Sequence, residues 1–198
     1  MSDTLEQKIQ SILDRQEIEQ VLAMYCRAID RMDLELLKSV YHPDGTDDHG
    51  SFSGNAHEFA QQIIASLTES IIDGMHTVTH SAIDVKGDFA TVESYYLAYQ
   101  LCPGGHEKVA AFFGERYAKT VTEQGAIQSN HDFFCGGRYI DLFERRHGQW
   151  KILRRKITNE WNVVQPAGRI TDQGYIAAYN LPGRRDKKDP VYLNRLPE

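Results

Sequence analysis

Two histidines four residues apart are the first side chains in this sequence whose types and spacing could do chemistry. His76 and His80 lie in the segment HTVTHSAIDV, residues 76–85. On a helix both rings would point at one metal ion, but on a β-strand they share a face about 13 Å apart, at ~3.3 Å per residue. The alternating pattern favours a strand, so we predict no metal site here.

Strand alternation offers these histidines a second role. It places His76, Val78, His80, Ala82 and Asp84 on one face, which would line a cavity if the sheet curves. A histidine among apolar neighbours suits proton transfer, because burial or a nearby carboxylate can tune an imidazole that titrates near neutrality. The alternative is a core histidine whose ring is hydrogen-bonded by the backbone.

Asp30 is a carboxylate that needs a partner. It ends an amphipathic helical segment, where the negative end of the helix disfavours a further negative charge. Arg27 or Arg31 could compensate as surface ion pairs, or a histidine from the sheet could. Tyr96 and Tyr99 fall on opposite faces of their strand, so that one of the two hydroxyls could face the same cavity.

Periodicity and capping residues predict the elements that must position these side chains. Helices are expected from Asp14 to Asp30, from Asp33 to Val40 and from Asn55 to a stop at Asp73-Gly74, and strands over 46–53, 76–85, 89–101, 137–146 and 149–161. Helices followed by long antiparallel hairpins predict an α+β fold, with the helices packed on one face of a curved sheet.

Two segments lie outside this scheme. Residues 106–128 are either an amphipathic helix, with Phe113 and Tyr117 on one side, or an irregular loop. The tail, residues 162–198, is rich in Pro and Gly and is expected to wrap the body as extended structure. We find no repeat and no boundary, so residues 1–198 are expected to form a single domain.

Composition excludes several function classes. The chain of 198 residues has a net charge of −6, which argues against a general nucleic-acid binder, and the RRDKK run at 184–188 is expected to be solvated surface. No apolar run approaches the ~20 residues of a membrane span, and nucleotide-binding, serine-hydrolase and zinc-protease motifs are absent. Three cysteines without a CxxC pair, and a polar start without a leader pattern, predict free thiols in the cytoplasm.

The sequence resembles the SnoaL-like family of the NTF2-like (cystatin-like cone) superfamily. The resemblance rests on DRQEIEQVLAMYCRAIDRMDLELLKSVYHPDG from Asp14, on residues 76–85 with the following KGDFA turn, and on GGRYIDLFERRHGQWKILRR from Gly136. It covers residues 10–165 and implies a cone, in which N-terminal helices close an apolar pocket inside a strongly curved mixed or antiparallel sheet. The segment 106–128 is then an insertion.

The resemblance also implies a site. Its Asp–His dyad falls on Asp30 and His80, and a further functional Tyr falls on Tyr25. Relatives carry a Tyr, an Asp and an Arg where this chain has His49, Tyr99 and Asn159, a departure that leaves the substrate open. The full set of predicted substrate-binding residues is His49, His76, Tyr96, Tyr99, Asn159 and Trp161.

From the residues and the resemblance together we expect a lyase or isomerase without cofactor or metal. His80 would remove a proton from the substrate, and Asp30 would orient the imidazole ring of His80. The reaction would eliminate water or formaldehyde from an aromatic or polycyclic molecule, or shift a double bond in it. A homodimer or homotrimer is expected, with no nucleic-acid or membrane partner. Two alternatives remain: a non-catalytic small-molecule binding protein, and an assembly subunit resembling the small subunit of ring-hydroxylating dioxygenases.

Overall fold

The computed structural model describes residues 4–179 and 181–194, and within these ranges the chain forms five α-helices and six β-strands. The helices are α1 (Leu5–Asp30), α2 (Leu34–Ser39), α3 (Ala56–Ser70), α4 (His106–Phe113) and α5 (Glu115–Glu123). The strands are β1 (Tyr41–His49), β2 (Phe52–Asn55), β3 (Asp73–Lys86), β4 (Phe89–Cys102), β5 (His131–Arg146) and β6 (Gln149–Pro166).

The six strands form one curved sheet in the order β2-β1-β6-β5-β4-β3. All neighbours are antiparallel except β1 and β6, which run parallel. The two predicted hairpins are present, and their turns are made by Gly87 and by His147-Gly148, all with positive φ. The mixed sheet is not closed into a barrel, and the predicted α+β cone is confirmed.

Capping side chains set where the helices begin. Asp33 accepts a hydrogen bond from the Leu36 amide and Asn55 from the His57 amide, as their positions predicted. The start of α1 was predicted wrongly at Asp14, because a capping box at Thr4 begins the helix earlier. None of the described helices has the length and apolarity to cross a membrane.

Asp14 lies inside α1 and does not cap the helix. Its buried carboxylate accepts hydrogen bonds from Arg145 Nη1 at 2.6 Å and from Trp150 Nε1 at 3.0 Å. These contacts tie the middle of α1 to the β5–β6 hairpin. On the same stripe of α1, Ile18, Leu22 and Ile29 are buried against the concave face of the sheet.

The insertion is a helical hairpin. Gly114, with a φ of 89°, separates α4 from α5, a conformation that side chains other than glycine rarely adopt. Val109, Ala118 and Val121 form a small second core between the two helices. A single helix and an irregular loop were the predicted alternatives, and the break at Gly114 makes neither correct.

The tail packs back against the helices. β6 continues five residues beyond the predicted end at Trp161, and the later segment 184–192 packs on the ends of α1, α2 and α3. Arg185 donates to the Leu67 carbonyl at 3.2 Å, and Asp33 accepts from Lys187 and from the Tyr192 hydroxyl. The prediction that the RRDKK run is solvated surface is therefore wrong for half-buried Arg185, whereas Lys187 is exposed and pairs with Asp33 from the surface.

Candidate active site

A cavity of about 340 Å³ lies between the helices and the concave face of the sheet. Its lining is Tyr25, Ile29, His49, Gly50, Ile63, Leu67, His76, Tyr96, Ala98, Gln100, Phe133, Cys135, Tyr139, Ile157 and Asn159. Apolar and aromatic side chains dominate, and among the described residues no Lys, Arg, Asp or Glu lines the cavity. A cavity of this kind suits a neutral small molecule.

Asp30 and His76 form a hydrogen-bonded pair at one end of the cavity. The His76 Nδ1 lies 2.8 Å from an Asp30 oxygen, and the His76 amide donates to the same carboxylate at 3.0 Å. Asp30 is 8% exposed, and its carboxylate is compensated by hydrogen bonds from His76 of β3 and not by the predicted Arg27 or Arg31. With the carboxylate ionised, Nδ1 carries the proton and Nε2 is left to accept one from a bound molecule.

The predicted pairing of Asp30 with His80 is not what the structure shows. Val78 pairs with Tyr96 but His80 pairs with Tyr95, so Thr79 is an extra residue in a β-bulge. The bulge reverses the alternation, and His80 stacks on exposed Tyr95 with ring centroids 4.8 Å apart. His80 lines an outer groove of about 480 Å³ between α1 and β3, which His76 also borders, and His80 does not line the cavity.

A second bulge separates two other predicted binding residues. Gly136 pairs with Trp161 and Gly137 with Asn159, which leaves Glu160 as the extra residue in β6. Asn159 lines the cavity, whereas Trp161 is 46% exposed and its ring covers Gly136. A side chain at Gly136 would collide with that ring at 2.7 Å. The structure therefore places Asn159 in the site and Trp161 outside it.

Of the three predicted tyrosines, two line the cavity and one lies outside it. Tyr25 and Tyr96 line the cavity, while Tyr99 faces outward and donates its hydroxyl to Asp132 at 2.9 Å. Burial raises the pKa of Tyr25 well above its usual value and that of Tyr96 to about 12. Both hydroxyls are therefore neutral hydrogen-bond donors, and the Tyr96 hydroxyl is already directed at the Thr158 carbonyl at 3.2 Å.

His49 also reaches the cavity, supported by a carboxylate that the sequence analysis missed. Its Nδ1 lies 3.2 Å from Asp47, which is 1% exposed and also accepts from the Tyr41 hydroxyl at 2.6 Å. The ring stacks on Phe59 of α3, with centroids 4.7 Å apart. The spacing of Asp47 and His49, two residues apart on one strand, was the available signal.

A buried charge pair beneath the cavity was missed as well. Arg155 is fully buried and binds Asp141 through two hydrogen bonds of 2.8 and 2.7 Å. Its guanidinium lies 4.1 Å from the ring centres of Tyr25 and Tyr139. Asp141 stands between Tyr139 and Phe143 on the inward face of β5, and a charged residue within an alternating apolar pattern signals a buried partner.

The tail closes the end of the cavity at Asp30. Arg185 borders, with Asp30, His76 and Gln100, a void of about 10 Å³. Its guanidinium donates to backbone carbonyls at the end of α3, including that of Ile71. A residue of the tail thereby becomes part of the wall behind the Asp30–His76 pair, which no pattern in the sequence indicated.

Comparison with protein families gives one match, to a family model described as a SnoaL-like domain, over residues 10–156. No curated protein matches the chain significantly. A scytalone dehydratase-like protein from Novosphingobium aromaticivorans superposes with a TM-score of 0.61 at 17% identity, covering 82% of this chain and 99% of that one.

Two further solved structures have the same architecture. The hexachlorocyclohexane dehydrochlorinase LinA-type3 from Novosphingobium barchaimii has a TM-score of 0.62 at 15% identity, covering 82% of this chain and 96% of its own. An NTF2-like superfamily protein from Salmonella enterica has a TM-score of 0.57 at 16% identity, covering 83% and 99%. At these identities the likeness shows the fold.

Proposed function

The chain belongs to the SnoaL-like domain family, and on that premise we propose that it is a cofactor-independent acid–base lyase acting on a neutral aromatic or polycyclic molecule. The observation that carries the proposal is His76, hydrogen-bonded to the buried carboxylate of Asp30 and lining an apolar cavity. The likeness to a dehydratase-like protein and a dehydrochlorinase supports an enzyme that processes small molecules.

In the proposed reaction, His76 Nε2 removes a proton from the substrate while Asp30 holds the ring and stabilises the imidazolium that forms. The electron pair of the broken bond forms a double bond as the leaving group departs. A positioned base of this kind contributes about 10²–10⁴-fold, so that most of the remaining acceleration comes from orientation in the cavity. Release of formaldehyde or a double-bond shift would begin with the same proton transfer.

The test is a screen of aromatic alcohols, diaryl propanes and hydroxysteroids, followed by ultraviolet absorbance for new conjugation. His76→Gln is compared with His80→Gln, a matched change on the same strand outside the cavity. We expect His76→Gln to lower kcat/KM by about 10²–10⁴-fold and His80→Gln to leave it near wild type.

Four results would contradict the proposal. Equal rates for wild type and His76→Gln would show that His76 is not the base. A loss confined to His80→Gln would place the chemistry in the outer groove. Tight binding of a ligand without turnover of any substrate would favour the non-catalytic binding protein, and the absence of both would favour the assembly subunit.

A further inference from the structure

We propose that Asp47 and His49 form a second histidine–carboxylate pair, which protonates the departing group. The cavity is then built for substrates that lose an oxygen leaving group, a hydroxyl or an alkoxide, rather than a halide. This inference rests on the proposed function and adds to it the acid and the class of leaving group.

The first support is geometric. His49 ends β1 and lines the cavity that His76 also lines. Its Nδ1 is engaged by Asp47 at 3.2 Å, and the stacked ring of Phe59 fixes the plane of the imidazole. Within the described part of the chain no residue hydrogen-bonds His49 Nε2, so this nitrogen is free to meet a bound molecule.

The second support is electrostatic. Asp47 is almost fully buried, and the Tyr41 hydroxyl satisfies its other oxygen. A carboxylate held in this manner fixes the orientation of the imidazole through Nδ1 and directs Nε2 away from itself. In the proposed step His49 acts as the imidazolium that gives up a proton, and His76 acts as the neutral imidazole that takes one.

The tyrosines of the cavity are weaker donors. Burial raises the pKa of Tyr96 to about 12, and its hydroxyl is already directed at a backbone carbonyl. Burial raises the pKa of Tyr25 still further. Among the polar groups lining the cavity, the acid is therefore assigned to His49, whose Nε2 has no hydrogen-bond partner in the described part of the chain.

The proposed elimination needs no reagent other than the substrate and the two histidines. His76 Nε2 takes the proton from carbon, the C–H electron pair becomes the new C=C bond, and the C–O bond breaks. The oxygen takes the bond pair and a proton from His49 Nε2, and it leaves as water or an alcohol. His76 ends protonated and His49 neutral, and exchange of one proton with solvent at each ring restores the enzyme.

The leaving group provides the test. Chloride departs without a proton, whereas a hydroxyl group must be protonated to depart as water. The probes are β-hydroxy-β-aryl ketones and the β-chloro ketones of the same carbon skeleton, which give the same conjugated product. The quantity measured is the ratio of kcat/KM for the hydroxy and chloro ketones. This ratio does not depend on how much of a variant is folded.

We expect His49→Gln to lower the ratio by about 10²–10⁴-fold, with the chloro ketone slowed less than about tenfold. Asp47→Asn is expected to lower the ratio in the same direction. His76→Gln slows both ketones, and a failure of that result would overturn the proposed function itself. An unchanged ratio in His49→Gln, or a ratio lowered by Tyr96→Phe instead, would overturn only the assignment of His49.

Discussion

Arg155 places a permanent positive charge in the core, where the rings of Tyr25 and Tyr139 enclose its guanidinium. Burial alone would lower the pKa of Arg155, but the carboxylate of Asp141 raises it well above its usual value. The two charges therefore depend on each other, since neither is solvated. Through Tyr25 and Tyr139, this pair fixes one wall of the cavity.

Removing one member of this pair is expected to be costly. Arg155→Met should lower the free energy of unfolding by about 3–5 kcal/mol, because it leaves the Asp141 carboxylate buried without a partner. The double variant Arg155→Met/Asp141→Leu should recover most of that loss, because no charge is left in the core. Urea unfolding of the two variants and the wild type measures both effects. A double variant as unstable as the single one would show that the charges themselves hold the fold.

At the scale of elements, two bulges decide which side chains enter the cavity. Thr79 in β3 and Glu160 in β6 are the extra residues, and each reverses the face of the residues that follow. Simple alternation places His76 with His80, and Asn159 with Trp161, but in the structure the members of each pair lie on opposite faces of the sheet.

A deletion tests the bulge in β3. Removing Thr79 should give a regular strand, in which His76 still faces the cavity and His80 still faces outward, because the extra residue has no partner on β4. Diethyl pyrocarbonate labelling followed by peptide mass spectrometry should show fast modification of His80 and slow modification of His76 in both proteins. Fast labelling of His76 in the deletion variant would mean that Thr79 is an ordinary paired residue.

The sequence predicted the elements better than the site. Helix caps at Asp33 and Asn55 and both hairpins follow from local interactions, which a short window of residues contains. The bulges do not, because they arise from pairing between strands far apart in the chain. Alternation put His76 and His80 on one face, and the family resemblance selected His80 as the base, whereas in the structure His76 is the histidine that contacts Asp30 and lines the cavity.

At the scale of the whole molecule, the segment 184–192 joins the ends of three helices behind the Asp30–His76 pair. Removing residues 183–198 should lower the melting temperature by about 4–8 °C, which corresponds to ~2 kcal/mol for a protein of this size. It should also lower kcat/KM, because water gains access to the Asp30 carboxylate behind the proposed base, His76. Differential scanning calorimetry and the dehydration assay measure the two effects. An unchanged kcat/KM would show that the tail only stabilises the fold.

Acid should weaken the attachment of the segment 184–192 to the helices. Burial opposes the charge of Asp33, but hydrogen bonds from Lys187 and Tyr192 lower the pKa of this carboxyl. The contribution of the ionised Asp33 carboxylate to stability is therefore complete above the ordinary aspartate pKa of about 4. It is lost as the pH falls through the lower pKa of Asp33 in the folded state. The difference in unfolding free energy between wild type and Asp33→Asn should narrow over that window. A difference independent of pH would mean that the charge on Asp33 does not matter.

The position of Arg185 also has a consequence for how the protein matures on the ribosome. Helices α1 to α5 and strands β1 to β6 are synthesised before residue 185, and domains fold from the N-terminal side as they emerge. The cone can therefore assemble with an open end next to Asp30 and be completed later by the tail. A premature stop codon between the sheet and this segment would leave the cone without Arg185, so that the wall next to Asp30 stays unfinished.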